Sequence, residues 1–180
     1  IYTGEDTLSL HDALPILKEM KRGYTKEWFL SKAAKIRELC PEATISTDVI
    51  VGFPGESGEE FLETMEVVEK VGFEFMFSFA YSPRPLTKAA EMENQIDDEI
   101  KKMRLAALQD FQIKIQERAH KDQIGKIYAV LVENNENGVY FGKTSNNFGV
   151  KLECDTDLMG QIVCVKIIEA KRHTLIGEIV

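Results

Sequence analysis

Apolar positions recur along the chain at two different spacings. Over residues 25–39 they follow a helical period, with Trp28, Phe29, Ala33, Ile36 and Leu39 as the stripe, Thr25 as N-cap and Pro41 as the stop. Residues 44–51 then alternate with a period of two, Ile45, Thr47, Val49 and Val51 on one side and Thr44, Ser46, Asp48 and Ile50 on the other. Ser57 and Glu60 have the spacing of a capping box, opening a helix that should bury Phe61, Leu62, Met65, Val68 and Val71 before Gly72 ends it. The next run sets Phe73, Phe75, Phe77 and Phe79 against Glu74, Met76, Ser78 and Ala80. In a parallel barrel the aromatic side is expected to meet the surrounding helices, leaving the smaller side toward a ligand-holding interior.

Helices alternating with strands, joined by segments too long for hairpins, imply parallel strands with right-handed crossovers. A further helix is predicted from Asp97 to about Lys121, a connector with Ile100, Met103, Leu108, Phe111 and Ile115 along one side. Past Gly125 the texture changes to short strands over residues 127–133, 139–144, 148–153, 162–170 and 174–180, with turn residues between them. Five such strands predict a small OB-like barrel. The expected fold class is therefore α/β, part of a parallel barrel over residues 17–120, followed by an all-β module over residues 121–180.

Composition narrows the class. With 180 residues, 44% of them hydrophobic and 29% charged, the chain can bury a core. No apolar stretch reaches the roughly 20 residues that span a bilayer, and no signal-peptide pattern occurs, so a soluble cytoplasmic protein is expected. Cys40, Cys154 and Cys164 follow no metal-ligand spacing and are expected to be small buried hydrophobes, with no metal site. The net charge of -8 argues against a strongly cationic nucleic-acid clamp. Its distribution is uneven: residues 1–120 hold 15 Lys and Arg against 22 Asp and Glu, whereas residues 121–180 hold 7 against 8. The near-neutral C-terminal module can still present a basic face to RNA.

The candidate chemistry gathers at two strand ends, where open α/β sheets and barrels place their ligands. Gly52-Phe53-Pro54-Gly55-Glu56 is a tight turn after the first strand; Tyr81-Ser82-Pro83-Arg84-Pro85 follows the second. Gly52, Pro54 and Gly55 suit a plain turn or one that also lines a pocket. Asp48 is either a pocket group or a hydrogen-bonded structural carboxylate, and Glu56 either lines the pocket or serves the next helix's N-terminus. Arg84, held stiffly between prolines, suits a phosphate or carboxylate. His11 and Asp12 have no third partner nearby and do not make an acid-base site.

Met20-Lys21-Arg22-Gly23-Tyr24-Thr25, the run from Thr47 to Glu56, and Tyr81-Ser82-Pro83-Arg84-Pro85 stand in the order seen in radical S-adenosylmethionine (SAM) methylthiotransferases, and the terminal barrel resembles their TRAM domain. Ser82-Pro83-Arg84-Pro85 is similar to the branch that thiomethylates an isopentenylated adenosine beside the tRNA anticodon; the branch acting on a ribosomal protein has acidic residues after Tyr-Ser. The resemblance implies SAM contacts at Asp48, Gly52, Phe53, Pro54, Gly55, Glu56, Tyr81 and Ser82. It implies RNA contacts at Arg22, Arg84, Lys143, Asn146 and Phe148, with tRNA as partner. It also implies two [4Fe-4S] clusters, whose CxxxCxxC ligands this sequence lacks; the family carries them in a preceding N-terminal part, so the chain alone is expected to be inactive. A non-catalytic RNA-binding module and a ribosomal-protein methylthiotransferase are the alternatives. Residues 1–16 match nothing in the family and resemble a translated adapter sequence. Leu86 stands where the family usually has Gly, so a turn needing positive φ would be strained there.

Overall fold

The computed structural model describes residues 15–180, which leaves His11 and Asp12 outside the described residues. The chain divides into two compact units, each assembled from several stretches. The first comprises the described residues up to Pro41 together with Ile50–Val71 and Phe79–Leu105; the second comprises Glu42–Val49, Gly72–Ser78 and Ala106–Val180.

Within the first unit, α1 (Pro15–Glu19) and α2 (Lys26–Leu39) precede α3 (Gly58–Val71). Thr25 caps α2, its hydroxyl accepting from the Trp28 N–H, as predicted. Ser57 and Glu60 close the expected capping box: the Glu60 N–H donates to Ser57 Oγ at 3.1 Å, and the Ser57 N–H donates to Glu60 Oε2 at 2.8 Å. Glu60 Oε1 also accepts the Ile16 N–H at 2.9 Å, fastening α1 to the start of α3. Two stripes are less buried than their periodicity predicts. Only Ala33 of α2 is buried, and Trp28, Ile36 and Leu39 are exposed; on α3, Val68 and Val71 are buried while Leu62 is exposed.

Strands β1 (Ser46–Val51) and β2 (Phe75–Ala80) pair as a two-stranded sheet. The Glu74 N–H donates to Ile45 O and the Tyr81 N–H to Val51 O, so residue numbers rise together and the pair is parallel. The aromatic face expected for β2 is covered only in part: Phe73 is buried and Phe75 packs against the barrel core, but the rest of that face is open. Phe77 and Phe79 are 63% and 54% exposed, whereas Ser78, on the smaller face, accepts a hydrogen bond from Gln109 Nε2 at 3.3 Å. The helix therefore covers the small face. Alternation tells which residues share a face, but not which face a neighbouring element will cover.

The second unit contains the C-terminal barrel. Helix α4 (Asp98–Lys121) leads into β3 (Ile127–Glu136), β4 (Val139–Thr144), β5 (Gly149–Glu153), β6 (Ile162–Ala170) and β7 (Leu175–Ile179), closed in the order β3-β4-β5-β7-β6. All neighbouring pairs are antiparallel except β5 with β7, where Val150 faces Leu175. Register shifts at Val132/Asn134 and Ile167/Glu169 bend the two longest strands around the core, as bulges do. Val130, Val132, Tyr140, Phe148, Val150, Leu152, Val165, Ile167 and Leu175 fill it. Gly142 is required for this closure, because a Cβ there would stand 2.4 Å from the Leu131 carbonyl oxygen. The expected five strands form a small closed barrel.

The cysteines do not behave as buried hydrophobes: Cys40 and Cys164 are exposed and Cys154 is partly so. The Cys154 thiol, 3.0 Å from Thr156 Oγ1, is held below its ordinary pKa by that hydrogen bond. Among the described residues no helix is long and apolar enough to cross a membrane.

Candidate functional site

The turn after β1 is built from two positive-φ glycines. Gly52 has φ +73° and Gly55 φ +85°. The Glu56 N–H donates to Phe53 O at 2.9 Å, which makes Phe53-Pro54-Gly55-Glu56 a turn with proline second and a left-handed glycine third, the signature of type II. The glycines also admit close neighbours. A Cβ on Gly52 would lie 2.2 Å from Lys101 Cγ, and one on Gly55 would lie 2.4 Å from Asn94 Nδ2.

Glu56 is buried at the centre of this arrangement. Its Oε2 accepts the Gly52 N–H at 2.7 Å and Arg104 Nη1 at 2.6 Å, while Arg104 Nη1 also donates to the Glu56 carbonyl at 2.9 Å. The guanidinium sits 5.6 Å from the centroid of Phe61. A carboxylate this deeply buried requires such compensation, and removing one partner of a buried pair typically costs about 3–5 kcal/mol. Three residues earlier on α4, Lys101 lays its stem over Gly52 and directs Nζ to Asp98 Oδ1 (2.7 Å) and the Tyr81 carbonyl (3.4 Å). That bond holds the Asp98 carboxyl below its ordinary pKa.

The two strand-end loops meet in the first unit. Besides the Tyr81–Val51 backbone bond of 2.8 Å, the rings of Tyr81 and Phe53 pack edge to face with centroids 5.3 Å apart. Ile16, Leu17, Met20, Ala89 and Met92 surround them. The Tyr81 hydroxyl is buried with no hydrogen-bond partner among the described residues. Ser82 and Arg84 are exposed, as is Arg22. Asp48 lies on the exposed side of β1, in the part of that strand that belongs to the second unit.

A second turn repeats the first. The Thr87 N–H donates to Arg84 O at 3.3 Å, with Pro85 second and Leu86, at φ +65°, third. Leucine thus occupies the left-handed position that glycine fills in the Gly55 turn, the strain expected from the sequence.

The sites foreseen on the barrel separate. Lys143 is exposed, with Nζ 3.7 Å from Glu133 Oε2. Asn146 is engaged within the protein: its Nδ2 donates to Glu42 O at 2.5 Å, and its carbonyl accepts Thr44 Oγ1 at 3.1 Å. Phe148 is 2% exposed and has no free ring face for a base, which corrects its expected RNA contact. It belongs to the barrel core, with Phe75 and His120 against it.

Sequence reasoning missed Lys101, Arg104 and Asn94. The buried face of α4 runs through Lys101, Arg104, Leu108, Gln112 and Ile115, whereas Ile100 and Met103 are exposed. The helical stripe is displaced by one residue because three of its inward positions are polar. Two cations in line with Leu108 and Ile115 were the available signal.

Residues 121–180 match the TRAM family model, over the same stretch that forms the closed barrel. They are a TRAM domain. Over a longer stretch that includes this domain, 166 residues, or 92% of the chain, are 55% identical to tRNA-2-methylthio-N(6)-dimethylallyladenosine synthase of Campylobacter jejuni. The enzymes of the same description from Nitratiruptor sp. and Sulfurovum sp. are 49% and 50% identical over the same share of the chain. In each case the chain spans 38% of the relative's length. The similarity thus runs through both the candidate turns and the TRAM domain.

Proposed function

We propose that this chain is the C-terminal part of a radical SAM methylthiotransferase that adds a methylthio group to C2 of N6-isopentenyladenosine beside the tRNA anticodon in the cytoplasm. The observation that carries the reading is the 55% identity, over 92% of the chain, to synthases named for that nucleoside. The TRAM domain supports RNA as the partner.

The residues present bear differently on the implied cofactors. At the paired strand ends the orphaned Tyr81 hydroxyl and the exposed Ser82 fit a nucleoside ligand, with the Phe53–Tyr81 pair as an apolar wall. The N–H groups of Gly52, Gly55 and Glu56 do not contribute, since Glu56, Asn94 and Phe53 already accept them. SAM bound there would supply a transferable methyl group and, on one-electron reduction, a radical. The described residues do not fit an iron-sulfur cluster: they contain no group of three or more His, Cys, Asp or Glu side chains able to hold a metal ion. The 180-residue chain by itself is expected to be inactive. On the exposed side, Arg84 and Arg22 are assigned to the RNA, and Lys143 to a phosphate on the TRAM domain.

The test is mass analysis of tRNA nucleosides from a strain deleted for the gene. Loss of the 2-methylthio mark with N6-isopentenyladenosine retained is expected. An unchanged mark would overturn the reading and return the choice to a ribosomal-protein methylthiotransferase or a non-catalytic RNA-binding module.

A further inference from the structure

We infer that Lys101 and Arg104 are positioning residues for the ligand at the strand ends, an inference that rests on the SAM-binding reading above. Two independent contacts from one helical face converge on Gly52. Arg104 holds Glu56, and Glu56 in turn accepts the Gly52 N–H at 2.7 Å. Lys101 covers the opposite need: its stem fills the space where Gly52 lacks a side chain, and its Nζ reaches the Tyr81 carbonyl.

Gly52 ends β1 and Tyr81 follows β2, so α4 grips both strand ends through two adjacent turns of helix. What these contacts place is the Phe53–Tyr81 pair and the unpartnered Tyr81 hydroxyl. A left-handed glycine followed by a type II turn has many alternative backbone states, and a ligand that must order them binds more weakly than one meeting a preset geometry. The buried ion pair removes that cost in advance, which gives a buried charge pair a purpose other than stability.

The experiment uses the complete protein to which this chain belongs and measures SAM dissociation constants by calorimetry at 25 °C, with circular dichroism melting as the control for folding. Arg104→Met and Glu56→Gln are each expected to weaken SAM binding about tenfold while remaining folded at that temperature, because preorganisation is lost. Arg104→Lys, which keeps the charge but reaches a single acceptor, should recover part of the affinity. Folded variants with wild-type affinity and only a lower melting temperature would overturn the positioning role and leave the functional reading standing. If Arg104→Met does not fold, the comparison of Glu56→Gln and Arg104→Lys with wild type decides by the same criterion. A wild-type protein that does not bind SAM overturns the functional reading itself.

Discussion

The ring of Phe148 packs against that of Phe75, with centroids 5.8 Å apart and planes inclined at 50°. His120 meets the same ring edge-on at 5.6 Å, and its Nδ1 lies 3.0 Å from the Lys171 carbonyl. Phe148 is thus a core residue, and Phe148→Ala is expected to destabilise the protein by about 3–5 kcal/mol in urea unfolding, the range for a buried aromatic truncated to alanine. Conditions that leave the variant folded should leave RNA affinity near wild type. A large loss of RNA affinity with unchanged stability would restore the RNA contact.

Leu86 is fully exposed at φ +65°, so its side chain contributes strain without packing. Leu86→Gly relieves a left-handed penalty of about 1–2 kcal/mol but returns part of it as unfolded-chain entropy. A net gain of up to about 1 kcal/mol is expected. Leu86→Ala keeps the Cβ and should change the unfolding midpoint little.

Lys26 and Lys70 both bind Glu66, with Nζ–O distances of 2.5 and 2.6 Å. The hydrogen bond from Lys26, followed by that from Lys70, lowers the Glu66 carboxyl from 4.5 to about 2. The folded form therefore binds fewer protons than the unfolded chain between these values. Its stabilising contribution is complete above pH 4.5 and disappears as the pH falls to about 2. Glu66 is more than a third exposed at its side chain, so solvent screening keeps the effect small. Melting curves across this window should show a shallower acid dependence in Glu66→Gln than in wild type; identical slopes would refute the linkage.

Lys143 is the exposed cation of the TRAM domain assigned to a phosphate. For a single-stranded RNA, Lys143→Ala should reduce the slope of log affinity against log salt by about 0.7, the value for one neutralised phosphate. An unchanged slope would remove Lys143 from the interface. Charge reversal at Glu133, its neighbour at 3.7 Å, should move affinity in the opposite direction.

Local chemistry was legible in the sequence because it acts over a few residues. The Thr25 cap, the Ser57/Glu60 box, the five barrel strands and the strained Leu86 each follow from side chains that reach their own backbone or from limits on φ. The ordered turn motifs likewise pointed to the right relatives. Only the tertiary structure decided which face of β2 a helix would cover, that Phe148 would be core, and that Lys101 and Arg104 would point inward to hold Glu56 and Gly52. Those outcomes depend on partners 31 to 73 residues away, such as Gln109 for Ser78, Glu56 for Arg104 and Phe75 for Phe148. A buried cation is tolerated only where a distant segment delivers its counter-charge, and no local spacing of residues encodes that meeting.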